Sequence, residues 1–305
     1  MKKGYLQISF GWLFAIIVGA VILFLAILFA TRLINIGQNT GTAQTSKEIE
    51  ILLNPLETSF ESSKTTSFAI GKETRIYNKC SDEDFFGKQK IQTSQKTFNK
   101  WSDTGVDVSF ENKYIFSEKE VEGKKFYVFS KPFDFPFKIA DLIYLSSSTT
   151  NYCFVSPPFD IENELSQLEQ ENLFFEDCPE NSIDVCFNLG STCDINVNYN
   201  NGYVKKQGTN LYFEGDALMY AAVFADNDIY ECQVQRLMKK VEQLSLLYRE
   251  KENLIPRECE SNLGGDLVRM SNSAGSFSDS ESLNSIKNIA DVLENKNDLA
   301  ACSLW

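Results

Sequence analysis

The chain has 305 residues, enough for one large domain or two modest ones. Charged residues make up 23% and hydrophobic ones 43%, a globular balance that excludes wholesale disorder. The net charge of −13 excludes general binding to nucleic-acid backbones, and the lack of histidine excludes Ser-His-Asp and Cys-His catalysis, His-ligated zinc or haem and any imidazole pH switch.

The first element is an uncharged apolar run, Phe10 to Ala30, flanked by Trp12 near one end and Arg32 at the other. As a helix at ~1.5 Å per residue it reaches about 30 Å, the thickness of a bilayer core, and it predicts a transmembrane anchor. Lys2 and Lys3 precede the run, and after Arg32 no basic residue follows until Lys47, so the N-terminus is expected in the cytoplasm. Cys80, Cys153, Cys178, Cys186, Cys193, Cys232, Cys259 and Cys302 all lie beyond the run. An even set on one side of a membrane predicts disulfides in an oxidising space. The run is longer than a secretory signal core and no A-x-A site follows it, so retention is expected over ordinary cleavage.

Residues 31–46 are polar and contain Gly and Thr, as a stalk or a continuation of the helix would. In the following KEIEILLNPLE, Ile49, Leu52 and Leu53 share a helical face that Pro55 ends. From Ser67 to Gly215 the texture is that of strands. Val106, Val108 and Phe110 alternate with polar neighbours, and Lys125 to Ser130 follows a turn placed at Gly123, so the two predict a hairpin. Asp194 to Tyr199 and Tyr203 to Lys206, joined by Asn200-Asn201-Gly202, form the clearest hairpin signal. Further strands are expected near residues 75–79, 88–93, 152–155 and 184–187. An amphipathic helix is expected over Asp160–Leu173, with Ile161, Leu165, Leu168 and Leu173 inward.

After Asp216 the chain turns helical. Ala217–Ala225 is apolar nearly all round, as a buried helix would be. Tyr230, Val234, Leu237, Val241, Leu244 and Tyr248 form a seam behind a capping box at Asp228 and Glu231. Leu283, Ile286, Ala290 and Leu293 form a second seam behind a box at Ser278 and Glu281. The two seams, separated by a Gly- and Ser-containing connection, predict an antiparallel pair. That arrangement would bring Cys232 and Cys302 to one end, where they would form a disulfide, and would leave Cys259 for the β-rich domain. Cys186 and Cys193 flank a short loop and are expected to bond to each other.

The fold class expected is α+β, with a transmembrane helix, a β-rich disulfide-bonded ectodomain with helical insertions and a C-terminal antiparallel helix pair. The divisions fall at 1–34 for the anchor, 35–66 for the stalk and short helix, 67–215 for the β-rich domain and 216–305 for the helical part.

No constellation specifies catalysis, a metal or a cofactor. Asp194, Asn196, Asn198 and Asn200 have the spacing of a calcium loop, but Tyr199 stands where an EF-hand needs Gly and Lys205 where it needs Glu. Residues 81–84 and 226–228 are short acidic runs that read as solvated surface. Cys178, Cys186 and Cys193 lack the C-x-x-C spacing of a zinc site. Pro132 to Phe137 reads as an aromatic loop that covers the core.

Two resemblances add to this reading. Lys2-Lys3-Gly4 ahead of an apolar stretch resembles the N-terminal signal of type IV pilin-like proteins, which implies cleavage after Gly4, although Ser9 stands where such proteins carry Glu. KKGYLQISFGWLFAII, the segment Tyr212 to Tyr220, IYECQVQRLMKK and the terminal Cys302 to Trp305 resemble uncharacterised single-pass membrane-anchored surface proteins of small-genome archaea. That resemblance implies an archaeal cell-surface setting and supplies no activity. A non-catalytic, membrane-anchored surface protein is expected, serving adhesion, envelope structure or assembly. A pilin-like filament subunit and an anchored carboxylate-dependent hydrolase are the alternatives. The expected partners are the lipid bilayer, through Phe10 to Ala30, and surface or envelope proteins, with self-association left open and no nucleic acid.

Overall fold

The computed structural model describes residues 11–12, 14–29, 64–97, 99–102, 104, 107–188, 193–254 and 262–305. The expected stalk, the helix over 47–57, Val106 and Cys259 lie outside them. Residues 11–12 and 14–29 are helical with exposed side chains. Among the described residues no helix is long and apolar enough to cross a membrane; the ends of the expected span, Phe10 and Ala30, are not among them.

The remainder is a mixed α+β architecture of two sheets and five helices. The first sheet comprises β1 (Lys64–Ser81), β2 (Lys88–Thr97), β3 (Lys100–Trp101), β4 (Val108–Phe110), β5 (Tyr114–Phe116), β6 (Glu120–Asp134) and β7 (Lys138–Ser147). Its order is β3-β2-β1-β6-β7-β5, with β4 beside β2. The second comprises β8 (Tyr152–Val155), β9 (Leu173–Phe174), β10 (Ile183–Phe187), β11 (Ile195–Asn198), β12 (Tyr203–Lys206) and β13 (Thr209–Tyr212), in the order β13-β12-β11-β10-β8-β9. The helices are α1 (Phe159–Ser166), α2 (Gly215–Phe224), α3 (Asn227–Leu254), α4 (Gly264–Gly275) and α5 (Leu283–Asp298).

The first sheet closes on itself. Gln89 of β2 donates to the Ile115 carbonyl and accepts from the Ile115 amide of β5, both at 2.8 Å. Three strands, β1, β6 and β7, separate β2 from β5 in the hydrogen-bonded order, so the sheet must curl until they meet. Ile76, Ile91, Ile115, Val128 and Ile143 fill the inside of the curl as a separate core. The other face presents Phe116, Phe129 and Tyr144 to the main core, where they meet α2 and α3. As its composition predicts, α2 is buried from Ala217 to Phe224, and it contacts strands of both sheets.

Arg236 of α3 is fully buried. Its Nε donates to Phe86 O at 3.2 Å, Nη1 to Lys113 O at 3.0 Å and Nη2 to Glu111 O at 2.8 Å. The guanidinium also lies over the Tyr114 ring, 4.8 Å from its centre. Burial lowers its pKa while Tyr114 and Glu111 oppose that shift. Gly87 makes room for it. At φ +62°, an added Cβ would stand 2.8 Å from Arg236 Cγ and 2.5 Å from Ser81 O.

Several expectations are corrected. The hairpin of residues 106–110 with 125–130 does not form, because β4 pairs with β2 and β6 pairs with β1 and β7. Gly123 is not a turn but a strand residue, where a Cβ would meet Ser147 Oγ at 2.3 Å. The helix expected over Asp160–Leu173 ends at Ser166, and Leu173 begins β9; all four expected inward residues are buried.

A C-terminal antiparallel pair is present, but its second member is α4, which lies in the Gly- and Ser-containing connection expected between the two seams. Gly264 lies against Glu252 and Gly275 against Glu242, so α4 runs back along α3. Lys296 pairs with Asp266, so α5 runs back along α4 and therefore parallel to α3. Ser280 meets Glu231 near the start of α3, whereas Trp305 packs on Tyr248 toward its end. Cys232 and Cys302 thus belong to opposite ends, and Cys232 is bonded to Cys80 instead. Neither capping box forms. Glu231 accepts from Ser280 N and Oγ rather than reaching back, and Asp228 pairs with Lys119. The helical turns after Ser278 have no side-chain cap bond.

Two measurements check this frame. The Cys80–Cys232 bond spans 152 residues, and on the chain-entropy model it contributes roughly 5 kcal/mol. Replacing both cysteines with Ser is expected to lower the Tm of the full chain by roughly 10–20 °C; a fall of under about 3 °C would contradict the pairing. Arg236→Met strands its carbonyl acceptors and is expected to cost about 3–5 kcal/mol in chemical denaturation. Arg236→Lys should recover less than half of that, since one ammonium cannot reproduce the guanidinium fork.

Candidate functional site

The alternation along β11 and β12 divides their side chains between two environments. Ile195, Val197 and Val204 point into the core. Lys206 shares their side, and its Nζ donates to Val223 O at 3.2 Å and Ala225 O at 3.1 Å, at the C-terminal end of α2. Burial lowers the Lys206 pKa, while Asp226 and Glu118 oppose that shift. The outer side carries Asn196 and Asn198 from β11, opposite Lys205 and Tyr203 from β12. Tyr212 of β13 follows, its ring centre 5.9 Å from that of Tyr203.

This outer side floors a cleft of about 560 Å³, extended by Asn188, Asp194 and the turn Asn200–Asn201. Gly202, left-handed at φ 65°, closes that turn. Asn198 Oδ1 accepts from Asn201 N at 3.2 Å, and its Nδ2 donates to Tyr203 Oη at 3.0 Å. Asn196 Nδ2 donates to Cys193 O at 3.0 Å, whereas its Oδ1 is buried and has no partner. Asp194 is occupied as the acceptor for Asp184 N. The Cys186–Cys193 disulfide, expected from the sequence, is present and anchors one rim. Cys153 bonds to Cys178 in the same sheet region.

The remaining sequence candidates have structural partners. Among the described residues no group of three His, Cys, Asp or Glu could hold a metal ion. In the first acidic run Asp84 pairs with Lys88, and Lys239 donates to the Asp82 and Asp84 carbonyls. In the second, Asp226 accepts from Lys119 N. Phe133, Phe135 and Phe137 are buried, so the Pro132–Phe137 segment covers the core. Beside it is an acidic recess of about 270 Å³ that includes Asp134, Glu214, Asp216 and Asp291. Burial raises the Asp134 pKa, Lys287 pairs with Glu214 and Tyr199 donates to Asp216. The nearby Glu164 is committed to Lys131 and Tyr220.

The 194–206 hairpin is legible in the sequence, whereas the cleft is not. The available signal was the Asn-x-Asn alternation, which places both amides on one side once a hairpin is granted. Comparison with known proteins gives no matching family model, curated protein or solved structure, and so nothing that bears on either sequence resemblance.

Proposed function

We propose that this chain is a non-catalytic, membrane-anchored surface protein that displays a disulfide-bonded α+β domain outside the cell for binding. The observation that carries this reading is the cysteine chemistry: all seven described cysteines are disulfide-bonded. Such bonding is characteristic of oxidising compartments. The helix at 11–12 and 14–29 adds support, since its side chains are exposed and none belongs to either hydrophobic core. A continuous apolar surface of that kind needs a cover other than water, and a bilayer supplies one. The uncharged run from Phe10 to Ala30 has the length for it.

Expression of the full chain in intact cells tests the reading. The chain is expected to resist alkaline carbonate extraction, and protease added outside is expected to remove the folded domain. Release into the aqueous phase, or protection of the C-terminal region, would overturn it. A mature N-terminus at Tyr5 would favour the pilin-like subunit instead.

A further inference from the structure

We propose that the cleft on the outer side of β11 and β12 binds a neutral, polyhydroxylated ligand, a saccharide chain presented at a surface. The inference rests on the reading of the chain as an outward-facing binding protein and names the chemistry of its ligand. The cleft, at about 560 Å³, falls in the ordinary range of ligand sites, but its lining is unlike that of a site for apolar ligands. Side-chain amides dominate, and each amide both donates and accepts. Hydroxyl groups do the same, so a ring of amides complements a ring of hydroxyls without either partner ionising.

The charges agree. Asp194 and Lys205 contribute one of each sign, and Asp194 is already held by Asp184 N. This lining has no excess of cations for a phosphate or uronate and no set of carboxylates for a metal. Tyr203 adds a ring whose hydroxyl is fixed by Asn198. Its flat apolar face suits the C–H side of a sugar ring, the side that amides cannot serve.

Asn196 lines the cleft with a fixed amide. Its Nδ2 is held on Cys193 O, which fixes the orientation of the whole amide. Its Oδ1 is buried without a donor, as are the amide oxygens of Gln170, Asn172 and Asn227, so the residue meets a ligand through the rest of its surface. An amide already held in place loses little freedom when a ligand packs against it. The disulfide between Cys186 and Cys193 ties Cys193, which lines the cleft, to β10.

The test uses the full chain in lipid nanodiscs, applied to an array of neutral oligosaccharides and to a peptide library, with hits followed by titration at 50 and 500 mM salt. At least one neutral oligosaccharide series is expected to bind, with an affinity that changes less than about twofold across that salt range. Asn196→Leu is expected to weaken binding at least roughly tenfold. Lys205→Trp, from an exposed position, should block the cleft without touching the scaffold, and Lys205→Gln should leave affinity within about twofold. Peptide mapping of Cys80–Cys232, Cys153–Cys178 and Cys186–Cys193 verifies that each variant is folded, and Lys205→Trp carries the test if Asn196→Leu is not. The proposal is overturned by an absence of oligosaccharide binding, by hits confined to peptides, by loss of binding at high salt or in Lys205→Gln, or by binding indifferent to Lys205→Trp. Vesicle flotation of the same preparation reads the anchor separately. A chain that binds sugar but does not float would refute the anchor and leave the cleft assigned.

Discussion

The buried guanidinium of Arg236 is the constraint on which the other arrangements depend. Its hydrogen bonds go to main-chain carbonyls from Phe86, Glu111 and Lys113 rather than to a carboxylate. A charge so placed is tolerable only while those carbonyls converge, so it specifies where two separate segments must lie against α3. Cys232 is one turn earlier, on the same side of the helix, and is bonded to Cys80 at the end of β1. The covalent bond and the hydrogen-bonded charge therefore define one junction. A shift of α3 along the sheet would break both.

From that junction the polar network continues into the sheet. Arg236 donates to Gln233 Oε1 at 2.6 Å, and Gln233 in turn donates to Ile115 O. The same carbonyl accepts from Asn78 and Gln89. One strand carbonyl thus receives donors from β1, β2 and α3, and this is the point where the curled sheet closes. The apolar residues inside the curl drive its collapse, but they do not choose between closures. The side-chain amides do, because only one arrangement satisfies each of them. The consequence reaches the cleft: α3 fixes its neighbour α2, and α2 packs on the inner side of the sheet whose outer side the cleft occupies.

What the sequence discloses follows from this division of labour. Elements shaped by apolar periodicity are legible: the 194–206 hairpin, the all-round apolar α2, the strands near 75–79 and 184–187, and the inward residues of α1. Elements shaped by polar matching are not. Gln89, Asn78 and Gln233 read as surface residues, and nothing in their spacing announces that they meet at Ile115. The helix α4 was hidden by its own composition, since Gly264, Gly265, Ser271, Ser273 and Gly275 resemble a linker, although Leu267, Met270 and Ala274 recur at helical steps and are buried. Because α4 intervenes, α5 runs parallel to α3, and Cys302 lies at the far end from Cys232. Cys186 and Cys193 are independent of that arrangement, because a short loop determines their proximity whatever the helices do.

The amides of this protein therefore fall into two sets that the sequence alone cannot separate. Asn78, Gln89 and Gln233 have partners fixed by the fold and are shielded from water. Asn196 and Asn198 stand on an outer strand face, and the Asn196 oxygen is left without a donor. The interior amides are not all satisfied either: Gln170 Oε1, Asn172 Oδ1 and Asn227 Oδ1 are also buried without a donor. Each amide of this kind is held by its other end, Asn196 on Cys193 O and Asn172 on Ser146 Oγ, so the fold accepts an unmatched oxygen where the donated bond ties two segments together.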